Sequence, residues 1–218
     1  MQTEFRKNLD WGIFFSWFGY ENPSNFEMPK FSLSQAYDLA KEKLQKSGCT
    51  NENCQDIIDG ILDAELSGIK SHGFHYLPIY CNHLKIGKIK GTAKVSAEKI
   101  SESALKVNAD NGFAHTAINL GFSKLFDMCT NSGIASMSIF NSYNCGVLGF
   151  HTKRIAEKGF VGMGFTNAPA SIAPLGGKKA VVGTNPFSIA VPLEGEAVII
   201  IDQSASVVAK SEISVRAK

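Results

Sequence analysis

The stretch ELSGIKSHGFHYLPIY (65–80) carries Ser71, His72 and His75 close together, and Tyr76, Tyr80 and then His83 follow. An imidazole titrates near neutral pH, so a histidine beside a hydroxyl suits proton exchange with a carbonyl or hydroxyl group. Three readings of the stretch stand side by side: a metal site, a proton-transfer site, or a hydrogen-bonded turn between two helices. For a metal, His72, His75 and His83 supply imidazoles, but a zinc centre closes with three or four ligands. The nearest carboxylates in sequence, Asp63 and Glu65, belong to the preceding helical run and gain nothing obvious from this spacing. His115, in NGFAHTA, opens a helix, where a single histidine also serves as a cap or packing residue.

Two other segments gather backbone N–H groups. NSYNCGVLGFH (141–151) is a strand end turning into a helix, and APLGGKKAVVGTNP (173–186) is a Gly-rich loop with Lys178 and Lys179. Either can hold an anion on amides near a helix start. Neither a GxGxxG at a strand–helix junction nor a GxxxxGK[ST] is present, so a Rossmann fingerprint and a P-loop are unsupported.

These residues need elements to position them. Ser32 or Ser34 caps a predicted helix to about Lys46, with Ala36, Leu39, Ala40 and Leu44 on one face and Gly48 as its stop. A second helix is predicted from about Asn51 to Leu66, and a third across Tyr76 to Ile86. The lysines from 85 to 94 read as a solvated loop. Strand texture begins at residue 102: a strand and Gly turn lead into a helix to about Thr130, then come a strand over 134–142 and a helix over 151–159. VGMGFTN, NPFSIAVP and AVIIID read as three further strands between Gly and Pro turns. Helices first and sheet second give an α+β class. The expected division is an irregular leader at 1–27, a helical part at 28–90 and a sheet domain at 91–218.

Composition sets the outer limits. The chain has 218 residues, 44% hydrophobic and 19% charged, with 22 basic and 20 acidic side chains interleaved. That balance speaks against a nucleic-acid surface or a polybasic anchor, and the apolar runs are too short to span a bilayer. WGIFFSWFGY (11–20) is apolar but runs into ENPSNFEMP rather than a small-residue cleavage site, which argues against a signal peptide. Five cysteines without CxxC spacing fit a reducing, cytoplasmic setting, with buried inert thiols the plain reading.

AELSGIKSHG, DNGFAH, NSYNCGVLG, GFTNAPASIAPLGGKKAVVGTNPFSIAVP and IIDQSASVVAKSEI occur in that order. Together they resemble the malate/L-lactate dehydrogenase family of NAD(P)-dependent oxidoreductases, from about Met28 to Ile213. The resemblance implies a non-Rossmann, mostly antiparallel-sheet domain that binds NAD or NADP, a helical domain, a homodimer and a small carboxylate substrate. Hydride then moves between nicotinamide and a 2-oxo acid, a 2-hydroxy acid or a cyclic imino acid.

Carried over by position, His72 matches the family's acid/base and Ser71 its hydrogen-bonded helper. Glu212 falls where the cyclic-imine reductases have an acidic partner for that histidine. Asn144, Cys145, Gly146, Val147 and Leu148 match one cofactor-contacting turn, and Asp202, Gln203 and Ser204 a second. Thr184, Lys210 and Ser211 match substrate-side positions. Tyr76 stands where many members have an arginine suited to a carboxylate, so substrate recognition there is expected to differ. Asn144 replaces a common histidine, which moves the proton-transfer role to His72. No residue is expected to bind a metal. The family pattern runs on past Lys218, so the C-terminal remainder of the fold is expected to be missing. An inactive or partner-binding fragment is the alternative expectation.

Overall fold

The computed structural model describes residues 31–195 and 198–204. The expected leader (1–27) and the positions Lys210, Ser211 and Glu212 lie outside the described residues. The chain forms two compact units that meet in sequence at Cys145 and Gly146. The division expected from sequence at residue 90 lies inside the first unit, shortly before the first strand.

The first unit begins with α1 (Leu33–Lys46) and α2 (Asn51–Leu66). Ser32 starts α1 with a capping box: its hydroxyl accepts from Gln35 N at 3.2 Å, while its own N–H donates to Gln35 Oε1 at 2.8 Å. Thr50 caps α2 by accepting from Asn53 N. Ala36, Ala40 and Leu44 of α1 share one buried core with Ile57, Ile58 and Ile61 of α2. The chain leaves α2 through two single turns of 3-10 helix, Lys70–His72 and Phe74–Tyr76, and enters α3 (Leu77–Lys85) with Pro78 in its first turn. Leu77, Tyr80, Cys81 and Leu84 face the same core.

The lysine-rich segment after α3 is held more firmly than a solvated loop. Ile89 is buried in the helical core. The Asn53 amide, itself buried, donates to Gly91 O and Ala93 O, both at 3.0 Å, and Thr50 N also donates to Gly91 O. A Cβ on Gly91 would run into the Gly48 carbonyl, so the two loops meet backbone to backbone. The lysines face outward while the backbone between them is pinned. Charge density alone hid that.

A three-stranded sheet follows: β1 (Ser96–Ser101), β2 (Ala104–Asn108) and β3 (Ser136–Phe140), in that order. β1 and β2 are antiparallel, whereas β2 and β3 are parallel and joined through α4 (Ala114–Ser132). Leu105 and Val107 of β2 are buried with Ala117 and Met128 of α4. β1 was not expected: it is an edge strand with five exposed residues out of six, so it carries no alternation to read.

The second unit packs α5 (Leu148–Ala156) on a fully antiparallel sheet of β4 (Gly162–Phe165), β5 (Phe187–Pro192) and β6 (Val198–Gln203). Gly162 and Gly164 lie under the helix, where a Cβ at Gly162 would come 2.8 Å from Thr152 O and 2.9 Å from Ile155 Cβ. Ser188 and Thr152, both buried, satisfy each other's hydroxyls at 2.7 Å. α5 starts at Leu148, three residues earlier than read from sequence. Its start is held by Asp202 at the far end of β6, which accepts from Gly149 N at 2.7 Å. Among the described residues, three of the four strand pairings are antiparallel, in keeping with an α+β, non-Rossmann fold.

Two substitutions test this packing. Asn53→Ala removes a side-chain donor from Ala93 O but leaves Gly91 O its bond from Thr50 N, so a loss of about 2 kcal/mol is expected in urea unfolding. Gly162→Ala must push α5 off its sheet and is expected to cost about 1–3 kcal/mol in the same measurement.

Candidate active site

The SHG turn is built by contacts on both sides. Ser71 Oγ lies 3.0 Å from His72 Nδ1, an adjacent pair held in the first 3-10 turn. Gly73, buried, leads into the second turn, where Phe74 N donates to Glu65 Oε2 at 3.0 Å. A Cβ on Gly73 would collide with that carboxylate, so the glycine lets α2 clamp the turn. Glu65 therefore has a positioning part that its sequence spacing did not suggest. His72 is partly exposed, with its ring nearly parallel to that of Tyr76 (7°, centroids 6.2 Å apart).

Behind Tyr76 lies a cluster of aromatic rings. Tyr76 meets Tyr80 edge-on at 4.8 Å, and Tyr80 meets Phe113 at 5.4 Å and Tyr143 at 6.0 Å. Tyr80 is only 1% exposed, and its hydroxyl donates to Asn144 Oδ1 at 3.0 Å. The Tyr143 hydroxyl stands 2.6 Å from His83 Nδ1. Burial pushes both the Tyr80 and Tyr143 phenols above their usual range, so they stay neutral donors through ordinary pH. Burial, with Lys88 adding to it, lowers His83.

The turn that carries Phe113 into this cluster has two successive residues in the left-handed region, Asp110 (φ 52°) and Asn111 (φ 60°). Asn108 Oδ1 accepts from Asp110 N at 2.9 Å, and Asn111 N donates to Asn141 O at 2.7 Å. Tyr143 N then donates to Gly112 O at 2.9 Å. DNGF and NSYN, far apart in sequence, thus form one knot. Tyr143 sits within a motif quoted from sequence, yet it was missed as an individual, because nothing local distinguishes it from packing.

In the second unit, Gly146 (φ 66°) and Val147 precede α5, and Leu148 is its first residue. Gly149 has no room for a Cβ because the Asp202 carboxylate sits 2.8 Å from that point. Asp202, Gln203 and Ser204 are exposed at the end of β6. Thr184 follows Gly183, which passes so close to the Ala168 carbonyl that a Cβ would overlap it. Asn185 (φ 36°) holds this turn by accepting from Ala168 N at 2.9 Å.

The structure therefore gathers Ser71, His72, Tyr76 and Asn144 around one ring cluster in the first unit. It gathers Gly146, Val147, Leu148 and Asp202 around the start of α5 in the second. Cys145 ends the first unit. His75 has no part in either group. Among the described residues, no three His, Cys, Asp or Glu side chains stand together as a metal site. Burial pushes the Cys49 thiol up to about 12 and raises Cys54 and Cys81, which makes all three poor nucleophiles. No helix among the described residues is long and apolar enough to cross a membrane.

Comparison with known proteins places this geometry. The family model for malate/L-lactate dehydrogenase matches residues 31–218. The chain is 34% identical over 187 residues to (2R)-3-sulfolactate dehydrogenase (NADP(+)) of Chromohalobacter salexigens, covering 86% of this chain and 56% of that protein. It is 30% identical over 187 residues to Delta(1)-pyrroline-2-carboxylate reductase 1 of Burkholderia ambifaria, covering 86% and 55%. The crystal structure of delta1-piperideine-2-carboxylate reductase from Pseudomonas syringae matches with a TM-score of 0.83 at 27% identity, over 87% of this chain and 57% of that one. The chain spans about half the length of the curated relatives it matches. With the family model matched over residues 31–218, and with the fold shared besides, the chain belongs to the malate/L-lactate dehydrogenase family.

Proposed function

We propose that this chain acts in NAD(P)-dependent interconversion of a small 2-oxo acid and its 2-hydroxy acid, or in reduction of a cyclic imino acid, with His72 as proton donor and acceptor. The observation that carries the reading is the Ser71–His72 pair, 3.0 Å apart in a partly exposed turn. The Ser71 hydroxyl engages Nδ1, so proton exchange with substrate runs through Nε2. Tyr76 flanks the ring, nearly parallel to it. Glu212, with Lys210 and Ser211 on the substrate side, belongs to the same reading by position, as does Thr184.

A nicotinamide cofactor, when bound, supplies the hydride chemistry. Asp202, Gln203 and Ser204 offer an exposed carboxylate, amide and hydroxyl, which fit the sugar hydroxyls and amide of a dinucleotide. One of the amides at the start of α5 is already engaged by Asp202, so the turn from Asn144 to Leu148 contributes mainly shape and backbone there. A cytoplasmic homodimer acting on a small carboxylate completes the reading; the names of the relatives support the small carboxylate.

Turnover of the 218-residue chain with NADH or NADPH is the test, using pyruvate, oxaloacetate, 3-sulfopyruvate and Δ1-pyrroline-2-carboxylate as oxidants. His72→Ala is expected to lower kcat by about two to four orders of magnitude. Ser71→Ala is expected to lower it about tenfold, the size of one orienting hydrogen bond. A wild-type rate with any of these substrates that His72→Ala leaves untouched would remove His72 from the chemistry. A separate fluorescence titration checks cofactor binding: Asp202→Ala should weaken NADPH about tenfold, and an unchanged Kd counts against that contact.

A further inference from the structure

One residue of α2 holds both ends of the SHG turn. At the start, α2 closes with Gly68 in the left-handed region (φ 75°): Gly68 N donates to Glu65 O at 3.1 Å, and Ile69 N donates to Ala64 O at 2.8 Å. At the far end, the Glu65 carboxylate accepts from Phe74 N at 3.0 Å, and Phe74 is buried in the helical core. Between these pins, His72 N donates to Ile69 O at 3.0 Å and Gly73 N to Lys70 O at 3.2 Å, so the Ser71–His72 pair rides on bonds internal to the turn. Tyr76 N donates to Gly73 O at 3.0 Å, which carries the same constraint to the ring lying nearly parallel to His72.

We propose that Glu65 is a positioning residue for His72 and that Gly73 is its matched partner. The carboxylate acts through Phe74 N, fixing the path of residues 70–76 and with it the place of the His72 imidazole. The assignment rests on the proposed function, in which that imidazole exchanges the proton. Proton transfer needs heavy atoms within hydrogen-bond reach, so a turn that drifts by about 1 Å loses rate without losing its fold. Glutamine offers an acceptor oxygen at the same reach, whereas alanine offers none. Gly73 supplies an independent mark of the pairing. The three heavy atoms nearest a Cβ placed there are Oε2, Cδ and Cα of Glu65, the last two at 3.2 and 3.4 Å. A methyl at residue 73 thus competes with the Glu65 carboxylate. With that carboxylate gone, the nearest of these atoms left is Glu65 Cα, at ordinary contact distance.

The test is a double-mutant cycle in the full chain, read by kcat, KM and the NMR signals of the His72 ring, with urea unfolding to verify that each variant is folded. Glu65→Ala is expected to lower kcat about tenfold and move KM by less than about twofold, with the His72 signals shifted or broadened. Glu65→Gln is expected to hold kcat within about threefold. Gly73→Ala is expected to lower kcat about a hundredfold. Adding Glu65→Ala to it is expected to recover about tenfold, up to the level of Glu65→Ala alone. Losses that multiply in the double variant overturn the pairing and with it the assignment. So does a Glu65→Gln variant as slow as Glu65→Ala, and so does an unchanged His72 ring in Glu65→Ala. A chain that turns over none of the substrates removes the proposed function, and the His72 signals across the same variants then decide this assignment by the same pattern.

Discussion

The buried hydroxyl of Tyr80 is the constraint around which the first unit is arranged. A phenol taken out of water needs a hydrogen-bond partner, and leaving it without one costs more than the bond itself contributes. The partner is Asn144, 64 positions along the chain, at the end of the turn that follows β3. Meeting that demand draws the turn onto α3 and brings Tyr143 within reach of His83. It also stacks Phe113 against the same ring, which needs the DNGF turn to bend through two left-handed residues. One apolar ring with one polar tip thus ties together three segments that carry the family motifs.

The second unit follows a different logic, in which glycine permits close approach and a carboxylate completes the join. Gly162 and Gly164 let α5 lie against the backbone of β4, and Gly149 leaves room for Asp202. The carboxylate then meets an amide in the first turn of the helix, where both the unpaired N–H and the helix dipole favour a negative charge. The same residue that resembles a cofactor contact thereby holds the start of its own helix. A substitution there would act on the helix start whatever its effect on cofactor, so binding and unfolding must be measured together.

Much of the local structure was legible. A serine cap at Ser32 or Ser34, Gly48 as a stop and the apolar spacing of α1 and α2 placed the first two helices almost to the residue, because caps and periodicity are local physics. β1 was not legible, since an exposed edge strand has no buried face to impose alternation. The true start of α5 was missed for a related reason: its cap is Asp202, 53 positions away, and no N-cap side chain precedes the helix. Within the site, Ser71 and His72 could be named from their adjacency and their motif. Glu65 and the pair of His83 with Tyr143 could not, because each depends on a partner brought close only by folding.

The sequence by itself determined the helix boundaries of the first unit, the α+β order, the family and the histidine proposed to handle the proton. These depend on spacing within a turn or on motifs in order, and neither needs a third dimension. Tertiary structure alone decided which hydroxyl meets which imidazole, His83 with Tyr143 among them, and why Gly73, Gly91 and Gly149 must lack side chains. The physical reason is that hydrogen bonds and close packing act over about 3 Å of space, whatever the distance along the chain.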